Sequence, residues 1–411
     1  CPIASHLAQR GGKGVNQRRA KILWLVWCVV YLAAVTLALG LDKPYPGDEQ
    51  RFIETGRLFA NGVSLELLRH YPEMSGPLPF LLFGAWGKIF GDSLAVMRGF
   101  SLLVAFATLL LLHRLANLVC ATPVPALLAS IALCLNPYMA TMSLFVYTDM
   151  LALLFTLAAV DSALRRRPAV MALSLAAAAI SRQYLIFVTA ALIAFFLIEW
   201  LWKKDSSSPR MLAAATISLL PLVGLVILWR GLAPDSWMRS YYVTGAPHYR
   251  LSSFTGYVAQ LPIYLAPFVI FAGRALFRAK WLAVAAVAAA VYYPFFPIRA
   301  PERSAGIGIY TVGLVDRAVS HLLPSLWRDA FFGLAFAAGI VVAGCLLLDA
   351  RRQWLARQAS FPLLAGLVLA AFLMVMPWSY LYWEKYLLPV LPIAGLHLAR
   401  LRASPENHGK I

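Results

Sequence analysis

The sequence has little charge and few cysteines for its length. Lys, Arg, Asp and Glu make up 13% of the 411 residues, while apolar residues make up 61% and the mean hydropathy is +0.73. A soluble domain is about 25% charged and about 45–50% apolar, so this composition excludes a water-soluble enzyme and a disordered protein. The five cysteines show no CxxC or other metal-ligand spacing, which excludes a disulfide scaffold and gives a metal site no support.

Long apolar runs recur along the chain, and a run of about 20 residues spans a bilayer as a helix. We therefore predict an all-α, polytopic integral membrane protein with 11–13 transmembrane helices, forming a single domain over residues 1–411. An apolar run at 78–91 is too short to cross and is predicted to lie at the interface. Twelve candidate spans lie near 22–41, 94–113, 122–139, 149–164, 168–181, 183–202, 211–229, 256–273, 281–298, 329–348, 360–378 and 385–399.

The twelve predicted spans divide the formal net charge of +18 unevenly between the two sides of the membrane. The segments on the side of both termini carry +16, and the opposite segments carry +2. The positive-inside rule places the basic side in the cytoplasm. We therefore expect an inner-membrane protein with cytoplasmic N- and C-termini, any active site on the extracytoplasmic face, and no nucleic-acid partner. The long outer loops are then 42–93, 230–255 and 299–328.

The first outer loop, 42–93, holds seven of the 18 acidic residues and the strongest candidate for chemistry. Pro46-Gly47 predicts a turn, and Glu49 to Ala60 has the pattern of an amphipathic helix. Asp48, at the start of that helix, either caps it or acts as a general base that accepts a proton from a hydroxyl. Glu49 is the neighbouring alternative for the catalytic carboxylate.

Other polar groups fall at predicted outer ends of spans. An acid such as Asp149, at a membrane boundary, either caps a helix or serves a function. Arg182 either snorkels or offers its planar guanidinium to a phosphate. Glu384 and Lys385 either neutralise each other or contribute to a site, and outer-loop aromatics are suited to stacking on sugar rings. The candidate substrate-binding residues are Asp149, Arg182, Gln183, Glu384, Lys385, Tyr386, His248, Arg299 and Arg303.

The first outer loop resembles that of the dolichyl-phosphate-mannose protein mannosyltransferase-like family. In that family an Asp-Glu pair precedes a Pro-Pro-Leu element, a Phe-Gly element and an Arg at the next span. This chain has Gly-Pro-Leu in place of Pro-Pro-Leu. The matching segments are Gly47-Asp48-Glu49, Gly56, Gly62, Ser75-Gly76-Pro77-Leu78, Phe90-Gly91-Asp92-Ser93 and Met97-Arg98.

Other motifs resemble the dolichyl-phosphate-glucose α-1,2-glucosyltransferase family. They are Tyr147-Thr148-Asp149, Arg182-Gln183 and the stretch from Glu384 to Pro389. In that family the second motif continues with Thr-Asn, where this chain has Tyr184-Leu185. Both resemblances are to the GT-C class of polytopic glycosyltransferases that use polyprenyl-phosphate sugars.

The resemblance implies an inverting transfer of a sugar from a polyprenyl-phosphate donor to an acceptor hydroxyl outside the cytoplasm. It implies Asp48 as the base and Asp149 as a residue that places acceptor or sugar. A leaving phosphate needs fixed positive charge, for which Arg182 and Lys385 are the candidates, with Arg299 and Arg303 behind them.

The sequence thus favours a hexosyl- or pentosyltransferase acting on a glycan, a lipid-linked glycan or a protein, in contact with membrane lipids. We expect no cofactor; a divalent ion between the acidic sites has no support from the spacing. Two alternatives remain open at this stage. One is a lipid or glycolipid transporter, or flippase, without transfer chemistry; the other is a polymerase or ligase that uses diphosphate-linked glycans.

Overall fold

The computed structural model describes residues 14–403 apart from 46, 121, 205, 244–247, 274–275, 277–278, 299–311 and 380. The described residues form α-helices and a few short 3-10 helices, with no β-strand among them. In chain order the α-helices are α1 (Gly14–Leu39), α2 (Asp48–Ala60), α3 (Leu65–His70), α4 (Leu78–Phe90), α5 (Leu94–Val119), α6 (Pro123–Cys134), α7 (Pro137–Leu144), α8 (Thr148–Leu164), α9 (Pro168–Ser181), α10 (Ile186–Lys203), α11 (Ser207–Ile217), α12 (Leu220–Trp229), α13 (Trp237–Tyr242), α14 (Leu251–Tyr264), α15 (Ala266–Ala272), α16 (Ala279–Tyr292), α17 (Leu314–Leu322), α18 (Ser325–Leu355), α19 (Phe361–Val375) and α20 (Leu391–Ala403).

Within the described ranges, six helical segments are long and apolar enough to cross a membrane, and the number is eight if each of two bent pairs is one span. The bent pairs are α6 with α7, at 72°, and α14 with α15, at 66°. These candidates coincide with eight of the predicted spans and confirm an all-α polytopic architecture. The six are Arg18–Leu39, Leu94–Val119, Gln183–Lys203, Ser207–Trp229, Ser325–Leu355 and Phe361–Trp378.

The remaining four predicted spans fall on shorter helices. They coincide with α8, α9, α16 and α20, which are 17, 14, 14 and 13 residues long. Each is shorter than the roughly 20 residues that cross a bilayer without tilt or thinning. Their status as spans therefore stays a prediction.

Helices α2 and α4 pair closely within the first outer loop. A Cβ on Gly84 of α4 would lie 2.6 Å from the carbonyl oxygen of Gly56 on α2, so the absence of a side chain permits this approach. Phe52 and Phe59 of α2 pack against Phe80 of α4 at ring-centroid distances of 5.7 and 6.2 Å. The amphipathic helix predicted from Glu49 to Ala60 is confirmed, and it begins one residue earlier, at Asp48.

The ion pairs divide the helix bundle into two ends. At the end predicted to be outside, Arg98 pairs with Glu49, and Arg182 pairs with Asp149. At the end predicted to be inside, Asp161 binds Arg114 and Arg165. No ion pair among the described residues joins one predicted end to the other. The pairs therefore agree with the predicted division of the segments between two sides. Which end faces the cytoplasm stays a prediction from the charge asymmetry.

Candidate active site

Asp48 is the first residue of α2 and is partly exposed. The preceding Gly47 has φ 140°, a backbone conformation that favours glycine. Gly47 occupies the N-cap position, so Asp48 does not cap the helix, although its negative charge is favourable in the first turn. The Asp48 side chain is 41% exposed, and its oxygens lie 3.2 Å from Nη2 of Arg51 and 3.7 Å from Nζ of Lys385. An accessible carboxylate thus sits between two cations.

The adjacent carboxylate, Glu49, is buried, and both of its oxygens accept hydrogen bonds. Arg98 of α5 donates from Nε to Oε1 at 2.9 Å and from Nη2 to Oε2 at 2.5 Å. The Val146 N–H also donates to Glu49 Oε1, at 3.0 Å. Arg98 Nη1 completes its contacts with backbone carbonyls of the α1–α2 connection, including Gly40 at 2.7 Å. Glu49 therefore connects α2, α5 and the segment that precedes α8.

Arg51, one turn along α2 from Asp48, has a second anionic neighbour. Its Nε donates to Oε1 of Glu73 at 2.7 Å, and its Nη2 donates to Oε2 at 3.3 Å. Glu73 is 2% exposed. Burial raises the pKa of the Glu73 carboxyl, although the Arg51 guanidinium opposes the shift. Glu73 thereby holds Arg51 beside Asp48.

The segment that carries Glu73 is docked onto the end of α9. The Gly76 N–H donates to the Ser181 carbonyl at 3.2 Å, and Gln183 Nε2 donates to the Met74 carbonyl at 2.9 Å. A Cβ at position 76 would lie 2.0 Å from the Ile180 carbonyl oxygen, so only glycine fits. Gln183 thus orients the loop through its backbone.

Asp149 and Arg182 form a buried pair next to this junction. Arg182 Nη2 donates to Asp149 Oδ2 at 2.6 Å. The other oxygen of Asp149 and the Nε of Arg182 are buried with no hydrogen-bond partner. The positive charge of Arg182 also lowers the pKa of Glu73, against the larger effect of burial. The pair therefore lies close to Glu73, which in turn binds Arg51.

Tyr147 stands between the two acidic motifs. Lys385 Nζ lies 5.1 Å from the centre of its ring, within the range of a cation–π contact. Burial and the negative charges of Asp48, Asp149 and Glu49 raise the pKa of Tyr147. Its hydroxyl therefore stays protonated at neutral pH and can donate a hydrogen bond.

Glu384 and Lys385 point in different directions. The Glu384 carboxylate is 1% exposed and accepts hydrogen bonds from four protein groups, including the hydroxyls of Tyr138 and Tyr264. Burial raises the pKa of Glu384, opposed by these hydrogen bonds. Lys385 pairs with Asp48 across the site. Tyr386 packs against Tyr184 at a centroid distance of 5.1 Å.

Of the three candidate residues from the outer loops, only His248 falls within the described structure. His248 is exposed, on the segment that precedes α14. Its neighbour Tyr249 donates to the carbonyl of Leu373, at the end of α19. Arg299 and Arg303 lie outside the described residues.

The sequence reasoning missed the residues that connect the candidates. Arg51 stands three residues after Asp48, a spacing that places two side chains on one helix face, and this signal could have identified it. Glu73 left no comparable signal because its partner, Arg51, lies 22 residues away in the chain. Arg98 entered only through the family resemblance.

No group of three or more His, Cys, Asp or Glu able to hold a metal ion occurs in the part of the chain that the structure describes.

No family model matches the chain, and no curated protein matches it significantly. Two solved structures of ArnT from Cupriavidus metallidurans are similar in fold, one in the apo state and one bound to undecaprenyl phosphate. Each is 16% identical, covers 93% of this chain and 78% of its own, and superposes with a TM-score of 0.43. A similarity this distant assigns no activity, substrate or partner to this chain, and the two family resemblances in the motifs stay predictions.

Proposed function

We propose that this chain is a membrane glycosyltransferase that moves one sugar from a polyprenyl-phosphate donor to an acceptor hydroxyl. The observation that carries the proposal is the placement of the Asp48 carboxylate between Arg51 and Lys385, at the end of the bundle where the outer segments meet. The reaction requires a base for the incoming hydroxyl and fixed positive charge for the departing phosphate.

In the proposed reaction, the acceptor oxygen attacks the anomeric carbon of the sugar. A new C–O bond forms, the bond from the anomeric carbon to the phosphate oxygen breaks, and the hydroxyl proton passes to Asp48. Polyprenyl phosphate leaves as an anion, beside Lys385 and Arg51. Attack from the face opposite the phosphate inverts the anomeric configuration. The phosphate is a stable leaving group, so no strong acid is needed.

The two neighbouring carboxylates divide the work in this proposal. Glu49 has both oxygens bound to Arg98 and one bound to the Val146 N–H, and a base must reach the proton that it abstracts. Asp48 is the more exposed of the two. The catalytic assignment therefore falls on Asp48, and Glu49 serves as the anchor of the loop.

The cations that we assign to the phosphate differ from those expected from the sequence. Arg182 is buried against Asp149, whereas Arg51 and Lys385 both approach the exposed Asp48. We therefore assign the phosphate first to Lys385 and Arg51. Asp149 and Arg182 act indirectly, because Arg182 lies close to Glu73, which binds Arg51.

The proposed setting is the extracytoplasmic side of the inner membrane, because the opposite end carries the excess of Lys and Arg. The donor is a polyprenyl-phosphate hexose or pentose, and the acceptor is a hydroxyl of a glycan, lipid-linked glycan or protein. No metal ion is assigned a role. A chelator is expected to leave transfer unchanged, and loss of transfer that a divalent ion restores would contradict this.

The decisive experiment compares Asp48→Asn with the wild type in purified, lipid-reconstituted protein. Asparagine keeps the shape of the side chain and removes the base, so we expect transfer from labelled donor to fall about 100-fold or more. Glu54→Gln is the matched control, since Glu54 is an exposed carboxylate on the same helix. Full transfer activity in Asp48→Asn would reject the mechanism.

The same assay separates the alternatives. A glycosyltransferase releases free polyprenyl phosphate in step with transferred sugar, whereas a transporter moves the donor intact. Donors with a monophosphate or a diphosphate linkage, supplied in parallel, distinguish the proposed enzyme from a polymerase or ligase. Activity with the diphosphate donor alone would favour that third reading.

A further inference from the structure

The Glu384 carboxylate joins three separate segments of the bundle. Oε2 accepts hydrogen bonds from the hydroxyls of Tyr138 and Tyr264 and from the Val315 N–H, with distances of 3.2 Å to Tyr138 and 3.0 Å to Val315. Oε1 accepts the Asp316 N–H at 2.9 Å. These donors come from α7, α14 and the start of α17. A buried carboxylate bound by four protein donors has little capacity left for a substrate.

The backbone at Glu384 is fixed as well. Its N–H donates to the carbonyl of Val312 at 3.0 Å, and a short 3-10 helix follows from Glu384 to Leu387. Lys385 therefore follows a residue whose backbone N–H and side-chain carboxylate are both bound by other segments. The Lys385 side chain is 13% exposed and ends 3.7 Å from Asp48 Oδ2.

We infer that Glu384 is a positioning residue: by fastening the turn of Lys385 to Tyr138, Tyr264 and the start of α17, its carboxylate holds the Lys385 ammonium opposite Asp48. The inference rests on the proposed function for the role that it gives Lys385. It replaces the expectation from sequence that Glu384 contacts substrate.

The physical need for such a residue lies in the lysine side chain. Lysine has a flexible four-carbon stem and loses about 2 kcal/mol of rotamer freedom when it is fixed. Charge stabilisation speeds a reaction only if the charge stands in place before the transition state forms. A clamped backbone leaves the stem fewer positions to sample and keeps the ammonium near the leaving phosphate.

The kinetic test is a double-mutant cycle of Glu384→Gln and Lys385→Met. Glutamine keeps the shape but turns an amide N–H₂ towards N–H or O–H donors, so the clamp loosens. We expect Glu384→Gln to lower kcat about 10- to 100-fold, because a misplacement of about 1 Å can cost about 100-fold in rate. The double variant is expected to be no slower than Lys385→Met alone, since both changes remove one effect. Losses that multiply would overturn the inference.

A second readout does not depend on turnover. The rate at which an amine-reactive reagent acylates Lys385 in the folded protein, followed by mass spectrometry, is expected to rise severalfold in Glu384→Gln. Asp161→Asn is the matched control, because Asp161 is a buried carboxylate that binds arginines at the other end of the bundle. Unchanged labelling in Glu384→Gln, or an equal rise in Asp161→Asn, would overturn the inference.

Milder variants cover the case in which Glu384→Gln does not fold. Tyr138→Phe and Tyr264→Phe each keep the ring and remove one hydrogen bond to Glu384, so each should give a smaller increase in Lys385 labelling, and no increase in either would count against the clamp. Failure of the proposed function has a different signature, full transfer by Asp48→Asn, which leaves the labelling result standing.

Discussion

Glu49 of α2 and Arg98 of α5 form a buried ion pair with two hydrogen bonds, of 2.9 and 2.5 Å, and Arg98 is completely excluded from solvent. The carboxylate one residue earlier, Asp48, stays accessible. Consecutive helical side chains point about 100° apart, so one helix end directs one acid into the core and the other to the surface. This geometry separates the structural carboxylate from the proposed catalytic one.

Breaking the buried pair should cost far more stability than removing the base. For Glu49→Gln we expect the free energy of unfolding to fall by about 3–5 kcal/mol, since Arg98 would remain buried without its counter-charge. Asp48→Asn should unfold like the wild type. Chemical unfolding in detergent measures both. Arg57→Gln, which breaks the exposed pair with Asp92, is the control and should cost less than about 1 kcal/mol.

Gly76→Ala should separate the first outer loop from the end of α9. The new Cβ would lie 2.0 Å from a backbone oxygen at Ile180, so we expect a loss of about 1–3 kcal/mol and reduced transfer as Glu73 shifts. Thermal unfolding and the transfer assay check this together. Gly99→Ala on α5 meets open space and should be neutral or up to about 1 kcal/mol stabilising. Equal behaviour of the two variants would contradict the docking.

Glu73 should give the protein a measurable pH dependence of stability. Because burial raises the pKa of Glu73 above its ordinary 4.5, the folded chain binds more protons than the unfolded chain between that value and the raised one. The free energy of unfolding should therefore decline as pH rises through this window.

Glu73→Gln removes this component of the decline, so the difference in melting temperature between wild type and variant should shrink or reverse as pH increases from about 4 to 8. Glu54→Gln, which changes an exposed acid on α2, should leave the wild-type pH profile in place. A difference that instead grows with pH would mean that the Arg51 pairing outweighs burial.

The two cations beside Asp48 should matter to turnover. Arg51→Met and Lys385→Met are each expected to lower kcat about 100-fold, the scale seen when one stabilising donor is lost from a charged transition state. Lys88→Met is the control, because Lys88 lies on α4, beside a separate polar cleft of about 470 Å³ that also involves Arg57 and Asp92. Normal turnover in both Arg51→Met and Lys385→Met would remove the proposed phosphate site.

The sequence determined that the chain is an all-α polytopic membrane protein, and it predicted which segments lie together at each end of the helix bundle. Apolar run length fixes which segments can cross a membrane, and charge asymmetry separates the two sides. The ion pairs of the structure join residues within each predicted side. Helix α2 was also predictable, because the amphipathic pattern from Glu49 to Ala60 is a local feature of the sequence.

Only the tertiary structure decided the partners of each charged side chain. Asp48 and Glu49 are chemically alike and adjacent, so no local pattern could tell that Glu49 turns to Arg98 while Asp48 faces Arg51 and Lys385. Likewise the neighbours Glu384 and Lys385 do not pair with each other, because their partners come from segments far away in the chain. An ion pair depends on distances of a few ångströms, and such distances arise only when the helices pack.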